Sequence, residues 1–170
     1  MIRAMFSIAI LLCSAALVQA QTDCTRPMLQ AAADSYIAAQ TVGDLAKMSL
    51  AAKVKYFENM KEITQDKGLW NTALPIAFHR SIYDVGRCMT FSEVIVTEGG
   101  HPYVLGTRLK LKDGKVVEID SLVTDQGDWL FNAQDYLKYS TAEDWPVLPV
   151  DDRVTRQDLI DAGNQYFDFV

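Results

Sequence analysis

Residues 106–120 read GTRLKLKDGKVVEID, and they hold the chain's most suggestive chemistry. An Asp-Gly pair between two alternating runs is the signal for a two-residue hairpin turn. Folded about Asp113-Gly114, Leu111 faces Val116, Leu109 faces Glu118 and Thr107 faces Asp120. One face is then apolar near the turn and polar further in, at Thr107, Glu118 and Asp120. The other carries Arg108, Lys110, Lys112 and Lys115 into water. A bulge would exchange the two faces, because side chains alternate with period two. A carboxylate held among apolar groups has its pKa raised. That suits it to general acid or base work near neutral pH. Asp120 is therefore a candidate acid/base residue, with Glu118 and Thr107 beside it.

Other chemistries find little support. The two histidines, His79 and His101, are far apart and lack the spacing of metal ligands. His79 beside Arg80 reads as a helix-end residue and a second choice for catalysis. Gly99-Gly100 is a turn, with no phosphate-binding loop around it. No serine lies in a G-x-S-x-G context. Tyr56, Trp70 and Trp129 read as packing or pocket-lining aromatics. Nothing in the sequence calls for a cofactor.

These residues must be positioned by the elements around them. Leu29, Ala32, Ala33, Tyr36 and Ala39 recur at helical spacing over 26–41, after Thr25 as N-cap and with Pro27 in the first turn. Gly43 ends that helix, and Asp44 caps a short second one. VKYFEN at 54–59 reads as a strand with Val54, Tyr56 and Glu58 on one side. Asn71 can cap a helix to about Arg80. CMTFSEVIVTE, PYVLGTRLKLK and KVVEIDSLVT read as strands, and DWLFNAQDYL at 128–137 as a last one. Residues 141–154, with Pro146 and Pro149, read as a linker. The order predicts an α+β fold, a curved antiparallel sheet with helices on one face. A further helix is expected over 155–170. Its TRQDLIDAGNQY at 155–166 repeats TRPMLQAAADSY at 25–36 in five of twelve positions. It reads as the start of a second repeat, or as a helix that packs back on the domain or on a partner.

The chain has 170 residues, a formal net charge of −6 and three cysteines. Residues 1–20, MIRAMFSIAILLCSAALVQA, have the basic start, apolar run and small-x-small site of a secretory signal. No later stretch is apolar enough to span a bilayer. Cys13 would leave with the signal, so Cys24 and Cys88 pair as one disulfide in a secreted protein. The acidic balance argues against nucleic acid as a partner. What remains, residues 21–140, suits one domain.

The order of elements, with SYIAAQTVGDLAKMSLAAKVKYFEN at 35–59, resembles the NTF2-like (SnoaL-like) superfamily. Its members include ketosteroid isomerases, limonene epoxide hydrolases, scytalone dehydratase and polyketide cyclases. The resemblance covers about 25–138. RCMTFSEVIVTEGGHPYVLGT and TDQGDWLFNA are similar to a group of secreted fungal proteins of that fold. The resemblance implies a cone with an apolar interior pocket. It puts the isomerases' oxyanion tyrosine on Tyr36 and their general-base carboxylate on Glu58. Their second donor, an aspartic acid, falls near Thr107, a weaker donor. The carboxylate–arginine–carboxylate set of the epoxide hydrolases is not cleanly matched, since Asp120 is one position off and Arg108 points outward. The expectation is a cofactor-free epoxide hydrolase or cyclase acting on an oxygenated polyketide or terpenoid, with Glu58, Asp120 and Tyr36 as its machinery. The alternatives are an isomerase or dehydratase of the same fold, or a non-catalytic small-ligand-binding module. The partner expected is a small apolar oxygenated molecule, and a homodimer is compatible with the sequence.

Overall fold

Thr25 caps the first helix through its hydroxyl, which accepts from the Met28 amide at 3.3 Å. Pro27 sits in the first turn, where a missing N–H costs nothing. The helix, α1, runs Arg26–Val42 and ends on Gly43 in the left-handed conformation. A Cβ at Gly43 would also lie 2.6 Å from the Ala73 amide nitrogen, so both backbone angle and space call for glycine. The computed structural model describes residues 24–168. The proposed signal segment and Cys13 lie outside them.

Six strands follow or flank this helix: β1 Leu50–Glu58, β2 Lys61–Ile63, β3 Phe78–Asp84, β4 Met89–Val96, β5 Tyr103–Lys112 and β6 Lys115–Asp125. They form one curved, unclosed sheet in the order β2-β1-β6-β5-β4-β3. The sheet is mixed, because β1 runs parallel to β6. Its inner face lies against α1. Leu29, Ala33, Tyr36 and Ala39 of α1 pack there with Tyr56, Trp70, Val94, Leu105, Leu109 and Ile119. Each large apolar side chain so buried stabilises the fold by roughly 1.5–3 kcal/mol. The helix is tied to the sheet by the Cys24–Cys88 disulfide, with Cα atoms 5.6 Å apart.

Two expected elements differ. The segment after Asn71 is not helical: a single 3-10 turn covers Leu69–Asn71 and β3 starts at Phe78. Pro75 explains this, since proline lacks the donor a helix interior requires and drives its predecessor toward extended backbone. His79 is thus an exposed strand residue paired with Val94. The 128–137 segment is not a strand. Asn132 caps a helix, α2 Ala133–Ala142, by accepting from the Asp135 amide. This helix lies on the outer face of the sheet, over β4. The C-terminal helix, α3 Arg156–Phe167, has a complete capping box between Thr155 and Asp158. It also lies on the outer face, so helices cover both sides of the sheet.

Candidate functional site

The Asp113-Gly114 turn forms as expected, with positive φ at both residues. The register beyond it does not hold. Leu111 pairs with Val116, but Lys110 pairs with Glu118, so Val117 is an extra, unopposed residue. The bulge turns over β6 beyond Val117, while β5 keeps the faces expected of it, Thr107, Leu109 and Leu111 inward and Arg108 outward. Thr107 now opposes Ser121 on the inner face, and Arg108 opposes Asp120 on the outer one. Glu118 and Asp120 are therefore not inside the cone. Arg108 Nη2 donates to Glu118 Oε1 at 2.7 Å and to Asp120 Oδ2 at 2.8 Å. Both carboxylates are committed to one guanidinium.

Tyr36, Glu58, Thr107 and Tyr56 do share the inner face. The Tyr36 hydroxyl lies 2.7 Å from Thr107 Oγ1, which lies 2.9 Å from Ser121 Oγ. Gln40 Oε1 stands 3.5 Å from the same hydroxyl, and Gln40 Nε2 donates to the Leu69 and Thr72 carbonyls. Glu58 ends β1 and accepts from the Leu69 amide at 2.7 Å. Tyr56 packs against Trp70 with ring centroids 5.2 Å apart. The space is filled: Tyr36 is 1% and Trp70 2% exposed. Burial raises the Tyr36 pKa to about 12, against the lowering effect of the Thr107 hydrogen bond and with the Glu58 charge adding to it. The result is a neutral, fully hydrogen-bonded polar ladder inside an apolar core. Trp129 is not part of any of this, standing 90% exposed in the turn after β6.

An accessible cavity lies instead on the outer face. Between the sheet and α2 is a cleft of about 630 Å³. Its floor is Ile82, Phe91, Gly106 and Leu122, and its walls are Tyr136, Tyr139 and Trp145. Gly106 has a clear reason: a Cβ there would lie 2.9 Å from the Phe91 ring. Arg80 and Glu93 stand opposite on antiparallel strands. Arg80 Nε and Nη2 donate to Glu93 Oε2 at 3.1 and 2.8 Å, and Nη2 also reaches Glu143 Oε2 at 2.8 Å. Ser140 of α2 donates to the other Glu93 oxygen at 3.0 Å. The guanidinium lies 4.0 Å from the centre of the Trp145 ring. Among the described residues nothing accepts a hydrogen bond from Arg80 Nη1. The Tyr136 pKa is raised, first by burial and then by the charge of Glu93 beside it.

None of these cleft residues was among the candidates. The Asn132-x-x-Asp135 cap, with Ala133, Leu137 and Ser140 at helical spacing, was the signal that could have exposed α2 and hence the cleft. Among the described residues no three His, Cys, Asp or Glu side chains stand close enough to hold a metal ion. No helix among them is long and apolar enough to cross a membrane.

No protein-family model and no curated protein matches the chain. Several solved structures are similar to it, among them the following two. One is an NTF-2 like protein of unknown function from Burkholderia xenovorans LB400, with TM-score 0.46 and 14% identity over 71% of this chain and 97% of that one. The likeness is to the NTF2-like fold. The other is AclR from Streptomyces galilaeus, a candidate hydroxylase, with TM-score 0.44 and 15% identity over 72% of this chain and 91% of that one. Overlays this loose transfer neither a residue's role nor an activity.

Proposed function

We propose that this protein is a binding module that takes a small, mainly apolar, oxygen-bearing molecule into the outer cleft. One observation carries the reading: a cleft of about 630 Å³ whose aromatic walls surround a guanidinium with one uncommitted nitrogen. The size suits a small organic ligand. Glu93 and Glu143 hold the Arg80 fork in place before any ligand arrives, so little ordering entropy is lost on binding. A carbonyl or hydroxyl oxygen of the ligand accepts from Nη1, and its apolar body lies against Phe91, Tyr136 and Trp145. The disulfide supports a working place in the secretory pathway or outside the cell, where such bonds persist.

A second reading is the cofactor-free hydrolase or cyclase, working in this same cleft on an oxygenated polyketide or terpenoid. It is favoured by the Tyr136 hydroxyl, which burial and the Glu93 charge keep protonated and so able to donate. Acid–base work also needs a free carboxylate. Here both Glu93 oxygens are engaged, which is why binding is preferred. Isomerase or dehydratase chemistry at Tyr36 and Glu58 would require substrate to reach a hydroxyl that is 1% exposed.

Titration with the neutral fluorophore N-phenylnaphthylamine tests the binding reading. Saturable enhancement is expected in the native chain, with a loss of about tenfold or more in Leu122→Trp, which fills the floor of the cleft. Equal binding by Leu122→Trp would overturn the site. Consumption of a terpenoid epoxide by the native chain, abolished in Glu93→Gln, would replace the binder with the enzyme.

A further inference from the structure

A second cavity, of about 360 Å³, lies on the same outer face between the sheet and α3. Ile82 and Phe91 line both this cavity and the cleft. They are cross-strand neighbours on β3 and β4, and both are partly exposed. The two cavities are thus two ends of one groove with an apolar saddle between them. Along β3 it runs from Arg80 to Asp84, four residues or about 13 Å at strand rise.

The ends of the groove differ in charge. At the α2 end one arginine, Arg80, meets two glutamates, Glu93 and Glu143. At the α3 end three arginines, Arg87, Arg108 and Arg156, line the wall with a single acid, Asp84. Arg156 is paired with Asp84, and Arg108 is held from behind by Glu118 and Asp120, which do not line the cavity. The Arg87 side chain donates to no acceptor among the described residues. It sits in the β3–β4 turn at the mouth of this end, and Ile160 of α3 supplies an apolar wall opposite.

We infer that the groove binds an elongated anionic amphiphile of the fatty-acid class, its chain lying over Ile82 and Phe91 and its carboxylate on Arg87. The inference rests on the binding reading above and adds the ligand class and its direction. The acidic α2 end repels the head group and the arginine-lined end attracts it, so polarity fixes one orientation. A charge-assisted hydrogen bond to Arg87 gives the acid an advantage of about tenfold over the matching alcohol. The Phe91 ring forms the saddle because Gly106 beneath it leaves room for the ring to lie flat on the sheet.

The test is displacement of N-phenylnaphthylamine by decanoate, decanol and decylammonium, each below its micelle concentration, on the full chain. Decanoate is expected to compete about tenfold better than decanol, with decylammonium weakest. Arg87→Glu, an exposed turn substitution, should remove the advantage of the acid and leave decanol unchanged. Ile160→Asp should weaken decanoate while leaving the dye itself bound. Equal competition by decanoate and decanol would overturn the inference and leave the binding reading intact. So would dye binding that no decyl compound displaces, or an acid advantage that survives Arg87→Glu. Failure of the dye to bind at all would instead remove the binding reading beneath it.

Discussion

Tyr36 shows how a residue of the right type acquires a structural role. Its hydroxyl is enclosed and bonded to Thr107, and burial holds its pKa at about 12. A group so placed neither ionises at physiological pH nor meets a ligand. Tyr36→Phe should therefore cost only about 1 kcal/mol of stability, the net worth of one hydrogen bond, because Thr107 keeps Ser121 as a partner. Denaturant unfolding of the variant checks this, and binding of N-phenylnaphthylamine should be unchanged. A loss above about 3 kcal/mol would mean that Thr107 is left unsatisfied after all. The inward placement of Tyr36 and Glu58 was legible in the sequence, because helical and strand periods fix which side of an element faces the core. The partners were not. Glu58 accepts from an amide eleven residues on, and no local pattern announces that contact.

At the scale of elements, one unopposed residue decided where the carboxylates point. The Asp-Gly turn was readable, with its left-handed backbone as required. The bulge at Val117 was not, since nothing in KVVEID marks which valine stands outside the ladder. α2 is hidden for a different reason: DWLF at 128–131, just before it, has strand-like composition, and the cap at Asn132 outweighs it. α3 repeats the α1 sequence but not its burial. Leu159 and Tyr166 are 64% and 68% exposed, where Leu29 and Tyr36 are buried. What docks α3 is mainly the Arg156 pair with Asp84, Nη1 to Oδ2 at 2.7 Å. This bond holds the Asp84 carboxyl below its ordinary value of 3.8. A carboxylate with a lowered pKa in the folded state stabilises at higher pH, and its contribution is lost as pH falls through that lowered value. Docking of α3 should thus be complete at neutral pH and weaken below about pH 4. A free helix of this length is marginal in water, so the carbon chemical shifts of residues 157–166 should move toward coil there. Arg156→Ala should show the same shifts at neutral pH. Helical shifts retained by Arg156→Ala would mean that Ile160 alone seats the helix.

The whole molecule combines a closed interior with an open outer face. The cysteines, the last core strands and the α+β order were legible, because composition and period report on them directly. The cleft was not, because it is made by elements far apart in sequence: β3, β4, β5, β6, α2 and the segment that carries Trp145. The Cys24–Cys88 bond spans 64 residues and fastens α1 to the β3–β4 turn. In the chain-entropy account it contributes about 4 kcal/mol. Reduction should lower the melting temperature by about 10 °C for a domain of this size. Calorimetry with and without reductant checks the figure, and an unchanged transition would show that packing alone holds α1.

The central claim is that ligand meets the outer face and not the interior of the cone. Neighbouring residues on one strand point to opposite faces, so methyl groups separate the two sites cleanly. The most direct measurement is the set of intermolecular nuclear Overhauser effects between bound N-phenylnaphthylamine and the protein's methyls. Effects to Ile82, Val104 and Leu122 are predicted, with none to Leu109, Ile119 or Val94. Effects to Leu109, Ile119 and Val94, with the outer methyls silent, would contradict the account.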